Sequence, residues 1–152
     1  MAVTVPATSR RTATTPARRA AAAVAPALRA GLALPVGVAA LALQLTGRRA
    51  AAQRLQPGPT GAGRRLARLL LGLPLDGFAL LLLGYAVFNS ARNFGYPIWY
   101  LHTDYHQAWG GPTMAGVWAV HAAGWALSLV VLLRWPACWI ARGQQALTAR
   151  LG

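Results

Sequence analysis

Two stretches of the sequence decide the fold class: LLLGLPLDGFALLLLGYAVFNSA at residues 69–91 and MAGVWAVHAAGWALSLVVLL at residues 114–133. Each has about the 20 residues that a helix needs to cross the hydrocarbon core of a bilayer. The first stretch contains one acid, Asp76, and the second contains no formally charged residue. They predict an all-α integral membrane protein with two transmembrane helices.

The overall composition supports this interpretation. Hydrophobic residues make up 56% of the 152 residues and charged residues only 11%, with a mean hydropathy of +0.41. A soluble domain carries roughly 25% charged residues, so this chain has too little charge to cover a water-facing surface. The length allows one domain, and the lone cysteine, Cys138, excludes an intramolecular disulfide.

A third apolar segment, AGLALPVGVAALALQLTG at residues 30–47, lies between Arg29 and Arg48. Its 18 residues are at the lower limit for a span, and it includes Pro35. A third span, a re-entrant or interfacial helix and a signal segment all remain open. Residues 1–29 are rich in Thr, Ala, Pro and Arg and predict a disordered basic tail. The membrane-embedded domain is predicted over 30–152.

Helix-breaking residues and the pattern of apolar and charged residues predict the structure of the remaining segments. Pro97, Gly110, Gly111 and Pro112 interrupt residues 92–113, which are predicted to form a loop. Residues 137–152 predict a short amphipathic helix with Ile140, Leu147 and Leu151 on one side, a pattern that suits the surface of an anionic leaflet.

The distribution of arginine predicts an orientation in a bacterial plasma membrane. Six arginines lie in residues 48–68 and three in residues 134–152, whereas residues 93–113 contain none. Cytoplasmic loops carry the excess of Lys and Arg, so loop 93–113 is predicted outside and the C-terminus in the cytoplasm. The side of the N-terminus stays open, because a span at 30–47 would place the five arginines of residues 1–29 outside.

Catalytic residue types are scarce. The chain has two acids, three histidines and no lysine, and it contains no phosphate-binding glycine loop, nucleophile elbow or HExxH motif. No catalytic residue, metal site or cofactor is therefore predicted. The pI near 11.9 would suit nucleic-acid binding, but the arginines flank apolar runs as membrane-bordering charges do, so nucleic acid is not predicted as a partner.

Candidate ligand-sensing residues lie in the outer loop and in the last span. His102, Asp104 and His106 form a polar cluster, and the two histidines would share a face only if the loop were helical. One interpretation is that these are polar residues in interfacial water without a specific role. The functional interpretation is a ligand- or pH-sensing patch, since histidine titrates near neutrality.

His121 and Asp76 are the ionisable residues within the spans. His121 is flanked by Trp118 and Trp125 on the same helical face, and its two interpretations are a hydrogen bond to the neighbouring helix or a functional group. Asp76 is expected to snorkel or to pair with Arg65, Arg68 or Arg134.

Several short motifs resemble those of one family. They are Leu73-Pro74-Leu75 at the opening of a span, Tyr96-Pro97 followed by Trp99-Tyr100, Gly111-Pro112-Thr113, Trp118-x-Val120-His121 and a basic tail from Arg142 to Arg150. With them, residues 64–152 resemble the membrane-embedded sensor domain of actinobacterial two-component histidine kinases. The resemblance implies a four-span bundle that precedes a cytoplasmic kinase.

This chain departs from that family pattern. The first helical pair is shortened to the run at 30–47, and there is neither a phospho-acceptor histidine box nor an ATP-binding region. The prediction is a sensor-like module in the lipid bilayer that signals through a histidine kinase or response regulator in trans. Two alternatives stay open: an accessory membrane subunit without a signalling role, and a haem- or quinone-linked redox subunit centred on His121. A haem would need a further ligand, for example from a homodimer.

Overall fold

The computed structural model describes residues 15–151, and every element in that range is helical. The prediction of an all-α chain is confirmed. The helices are α1 (Pro16–Gly31), α2 (Ala33–Leu45), α3 (Arg49–Leu55), α4 (Ala62–Phe94), α5 (Tyr96–Tyr100), α6 (Met114–Arg134) and α7 (Pro136–Leu151).

Two helical segments of the described chain are long and apolar enough to cross a membrane, Ala62–Phe94 and Met114–Leu151. α4 contains the predicted span at 69–91 and extends beyond it at both ends, and α6 begins and ends within one residue of the predicted 114–133. α7 follows almost directly, because a proline is tolerated at the first helical position, where its missing N–H has no intrahelical partner.

The third apolar segment is part of a bent helical pair. Ala21–Gly31 and Ala33–Leu45 meet at 58°, and together they are long and apolar enough to count as one further span. Pro35 explains the position of the bend, because a proline removes the hydrogen bond to the carbonyl four residues earlier and collides with it. That carbonyl belongs to Gly31, the last residue of α1.

Two sequence predictions are wrong in part. Residues 16–29 are not a disordered tail, since they form most of α1, which packs against α4 and α7; the first 14 residues lie outside the described range. Residues 92–113 are not entirely a loop, because α4 continues to Phe94 and α5 follows. In both places alanine-rich sequence or a proline at the start of a turn permits helix.

α4 is the centre of the bundle, and it packs against α1, α2, α6 and α7. Three glycines, one each on α1, α2 and α7, pack against leucine side chains of α4. A Cβ atom would lie 2.7 Å from Leu83 Cβ at Gly31, 2.7 Å from Leu69 Cδ2 at Gly37 and 2.9 Å from Leu75 Cδ2 at Gly143. Small residues of this kind let helices approach closely in a bilayer. The order of the contacts shows that α1–α2 and α7 both run antiparallel to α4.

Outside these contacts the bundle exposes large apolar side chains. Each candidate span contains an apolar stretch of 18 residues. Only 22% of that stretch is buried in Ala62–Phe94, and only 11% in Met114–Leu151. The exposed set on α4 includes Leu70, Leu71, Leu81, Val87 and Phe88. A contiguous apolar surface of this extent marks a membrane or protein contact, and lipid chains are the partner that fits the two spans.

Candidate functional site

The end of the bundle at which α4 begins, named the inner end after the predicted orientation, contains a buried ion pair. Arg68 Nη1 donates to Asp76 Oδ2 at 2.9 Å and Nη2 donates to Asp76 Oδ1 at 3.4 Å. The two side chains are only 4% and 2% exposed. The predicted pairing of Asp76 with a nearby arginine is confirmed for Arg68. Both residues lie on α4, eight positions apart, and the intervening Gly72 leaves space for the arginine side chain along the helix.

α7 completes this network. Gln144 Nε2 donates to Asp76 Oδ1 at 2.9 Å and to the Ala30 carbonyl oxygen at 3.0 Å. Arg68 Nε donates to Thr148 Oγ1 at 3.0 Å, and Thr148 donates in turn to the Gln144 carbonyl. The Ala30 carbonyl lies at the end of α1, where carbonyls lack intrahelical partners. The inner network, defined as Arg68, Asp76, Gln144 and Thr148, thus ties three helices together.

The position of α7 differs from the expectation of a helix on the membrane surface. Ile140 is buried at 5% exposure in a cluster with Ala30 and Ala79, and Gln144 is buried one turn later. The face that carries them therefore packs on the bundle. Sequence reasoning missed Gln144 and Thr148, although they follow Ile140 at successive intervals of four residues, which is the signal that could have placed them on this face.

His121 lies in an aromatic cluster at the opposite end of the bundle, named the outer end after the predicted orientation. Its ring centroid is 4.5 Å from that of Tyr96, and Tyr96 stacks on Tyr100 at 4.3 Å. His121 Nδ1 lies 2.8 Å from the Val117 carbonyl; because a carbonyl only accepts, Nδ1 is the donor. The hydrogen bond therefore goes to the residue's own helix and not to the neighbouring one. Tyr96 is 8% exposed, and sequence reasoning had not selected it.

The two tryptophans beside His121 join α6 to α4. Trp118 Nε1 donates to the Phe94 carbonyl at 2.8 Å, and Trp125 Nε1 donates to Ser90 Oγ at 2.9 Å. Trp125 is 7% exposed and meets the Tyr85 ring edge-on at 5.8 Å. Both side chains thus hold the outer halves of the two spans together.

The loop candidates do not form one site with His121. His102 and His106 lie in turns and not on a helix, so they do not share a helical face. His106 Nδ1 donates to Asp104 Oδ1 at 3.1 Å, with side-chain exposures of 61% and 77%. Within residues 15–151 no group of three metal-ligating side chains comes together.

The Asp104–His106 pair gives a prediction for the loop. The side-chain hydrogen bond from His106 lowers the pKa of Asp104 from its ordinary value of 3.8, and the backbone N–H of His106 lowers it further. The stability that the ionised Asp104 contributes to the loop is therefore fully present above pH 3.8. It is lost as the pH falls through the lowered pKa of Asp104. In a ¹³C NMR titration, His106→Gln should move the Asp104 midpoint upward, and His102→Gln should leave it in place. Equal midpoints in the wild type and His106→Gln would contradict the contact.

Comparison of this chain with known protein families, with curated proteins and with solved structures finds no match. The resemblance of residues 64–152 to kinase sensor domains therefore stays a prediction.

Three cavities border these residues. An apolar one of about 350 Å³ lies between α1, α4, α6 and α7, and Ala30, Ala79 and Ile140 are among its lining residues. A second cavity, of about 460 Å³, lies at the outer end beside Arg92, Trp99 and Tyr100. The largest, of about 670 Å³, borders the inner network.

Proposed function

We propose that the chain resides in a bacterial plasma membrane with loop 93–113 outside and the C-terminus in the cytoplasm. The arginine distribution supports this orientation. We further propose that the bent pair α1–α2 is a third span, which places the N-terminus on the side of that loop. The antiparallel contacts with α4 support this arrangement, and the two inner segments still hold more arginines than the two outer ones.

We propose that the protein is a sensor-like module that signals by helix packing to a partner chain, a histidine kinase or a response-regulator system in trans. The observation that carries this proposal is the path α6–α7. It holds His121 and Trp118 in the outer aromatic cluster and Gln144 in the inner network. A shift of α6 on α4 at the outer end is expected to change the hydrogen bonds that Gln144 makes at the inner end, because packed helices move as units.

The proposal can be tested in the native host by following the phosphorylation of its response regulators. Deletion of the gene should change the phosphorylated fraction of one regulator by roughly fivefold or more, the lower range of allosteric coupling. The wild-type gene should restore it. Gln144→Ala should not, although the variant protein reaches the membrane, because α7 loses its bonds to α4 and α1.

Arg142→Ala is the control on the same helix, since Arg142 is exposed, and it should restore the phosphorylated fraction fully. No change in any regulator on deletion would favour an accessory subunit instead. A Soret band in the absorption spectrum of the purified protein would favour the redox alternative.

A further inference from the structure

The largest of the three cavities is lined by both polar and apolar residues. It lies between α1, α2, α7 and the segment after α3, with a volume of about 670 Å³. Arg68, Gln144 and Thr148 of the inner network form part of its lining, together with the polar residues Arg29, Gln56 and Gln145. The apolar part of the lining includes Leu32, Val36 and Leu55.

Positive charge exceeds negative charge at this end of the bundle. Arg65 and Arg68 are buried at 1% and 3% exposure, and Asp76 is the one buried carboxylate within the described residues. Asp76 pairs with Arg68. Arg65 donates only to neutral oxygens, those of Gln56 and Gln53 at 2.9–3.2 Å, and its Nε has no partner in the described part of the chain. A buried cation without a counter-ion is costly.

Gln56 connects that cation to the cavity. Its side-chain and main-chain oxygens both accept from Arg65 Nη1 at 3.2 Å, and the residue lines the cavity. Arg29, exposed on α1, adds a guanidinium, the group best suited to grip a phosphate with two hydrogen bonds.

We propose that this cavity binds the phosphate headgroup of an anionic phospholipid. An anion there offsets the excess of guanidinium charge, and the apolar lining suits the first part of an acyl chain. The cavity extends from Arg68, immediately before the apolar run at 69–91 and thus at the depth where headgroups lie, to Arg29 on α1. Arg29 lies deeper along the bundle, and its long side chain brings the guanidinium toward that boundary, as arginines at membrane depth do. This site requires a bilayer around the bundle, but it does not rest on the signalling proposal.

Native mass spectrometry of the full chain in detergent tests this site, with dioleoylphosphatidylglycerol, dioleoylphosphatidylcholine and inorganic phosphate as three separate probes. The wild type should retain phosphatidylglycerol in preference to phosphatidylcholine. Arg29→Gln should weaken phosphatidylglycerol binding by roughly tenfold, the loss expected for one charge-assisted contact.

Arg142→Gln is the matched control, since it removes the same charge from an exposed position on α7 that does not line the cavity. It should leave the preference unchanged. Equal losses in Arg29→Gln and Arg142→Gln would reduce the effect to general charge and overturn the proposal. Retention of inorganic phosphate with no preference between the two lipids would place a free anion in the cavity and would also overturn it.

Discussion

Replacement of Asp76 by asparagine is expected to lower the free energy of unfolding by about 3–5 kcal/mol, the cost of leaving a buried charge without its partner. Asp76 accepts from Arg68 through both oxygens and from Gln144. In the variant, the amide nitrogen would face these donors and Arg68 would stay buried. Thermal unfolding of the detergent-solubilised protein, followed by circular dichroism, measures the effect.

The chain supplies a matched control, because its second acid is exposed. Asp104→Asn makes the same chemical change in the outer loop and should alter stability by less than about 0.5 kcal/mol. The double variant Arg68→Met, Asp76→Leu should recover most of the loss, because removal of both charges leaves neither member of this pair buried without the other. A small effect of Asp76→Asn, equal to that of Asp104→Asn, would contradict the buried pair.

Alanine at Gly72 is expected to destabilise the protein by about 1–3 kcal/mol, the usual cost of overpacking. The Arg68 guanidinium occupies the space that a Cβ at Gly72 would need, and Asp76 Oδ2 would lie 2.9 Å from it. The arginine cannot simply swing away, because Asp76 and Thr148 hold it. Denaturation of the two proteins in the same detergent gives the difference.

Gly77 lies five residues further along the same helix and provides the control. A Cβ there would meet nothing within 4 Å, so Gly77→Ala should stabilise the protein by about 0.5–1 kcal/mol through helix propensity. The two glycines in one helix are therefore expected to respond with opposite signs. Stabilisation by both alanines would show that Arg68 does not lie over Gly72.

The spans could be predicted from sequence because their signal is local. Residues 69–91 and 114–133 are uninterrupted apolar runs, and helix is the structure that satisfies every backbone group of such a run in lipid. The partner of Asp76 was predictable for a related reason: Arg68 is close in sequence on the same helix.

Contacts between distant segments could not be predicted in the same way. Gln144 donates a hydrogen bond to the Ala30 carbonyl, 114 residues away in the sequence. The sequence around either residue contains no sign of this contact. In the sequence Tyr96 stands out only as part of the Tyr96-Pro97 motif, yet it contacts His121 because α5 turns back onto α6. The helix in residues 16–29 was missed because prolines and arginines in alanine-rich sequence are typical of a solvated tail, whereas α1 gains its stability from packing against α4 and α7.

The location of the ion pair within a single helix has a consequence for biosynthesis. Arg68 and Asp76 both belong to α4, so the segment carries its own counter-charge when it leaves the translocation machinery. A paired Asp76 costs less to transfer into lipid than an isolated carboxylate. α4 can thus insert before the last third of the chain has been synthesised, and Gln144 joins a pair that is already neutral when α7 arrives.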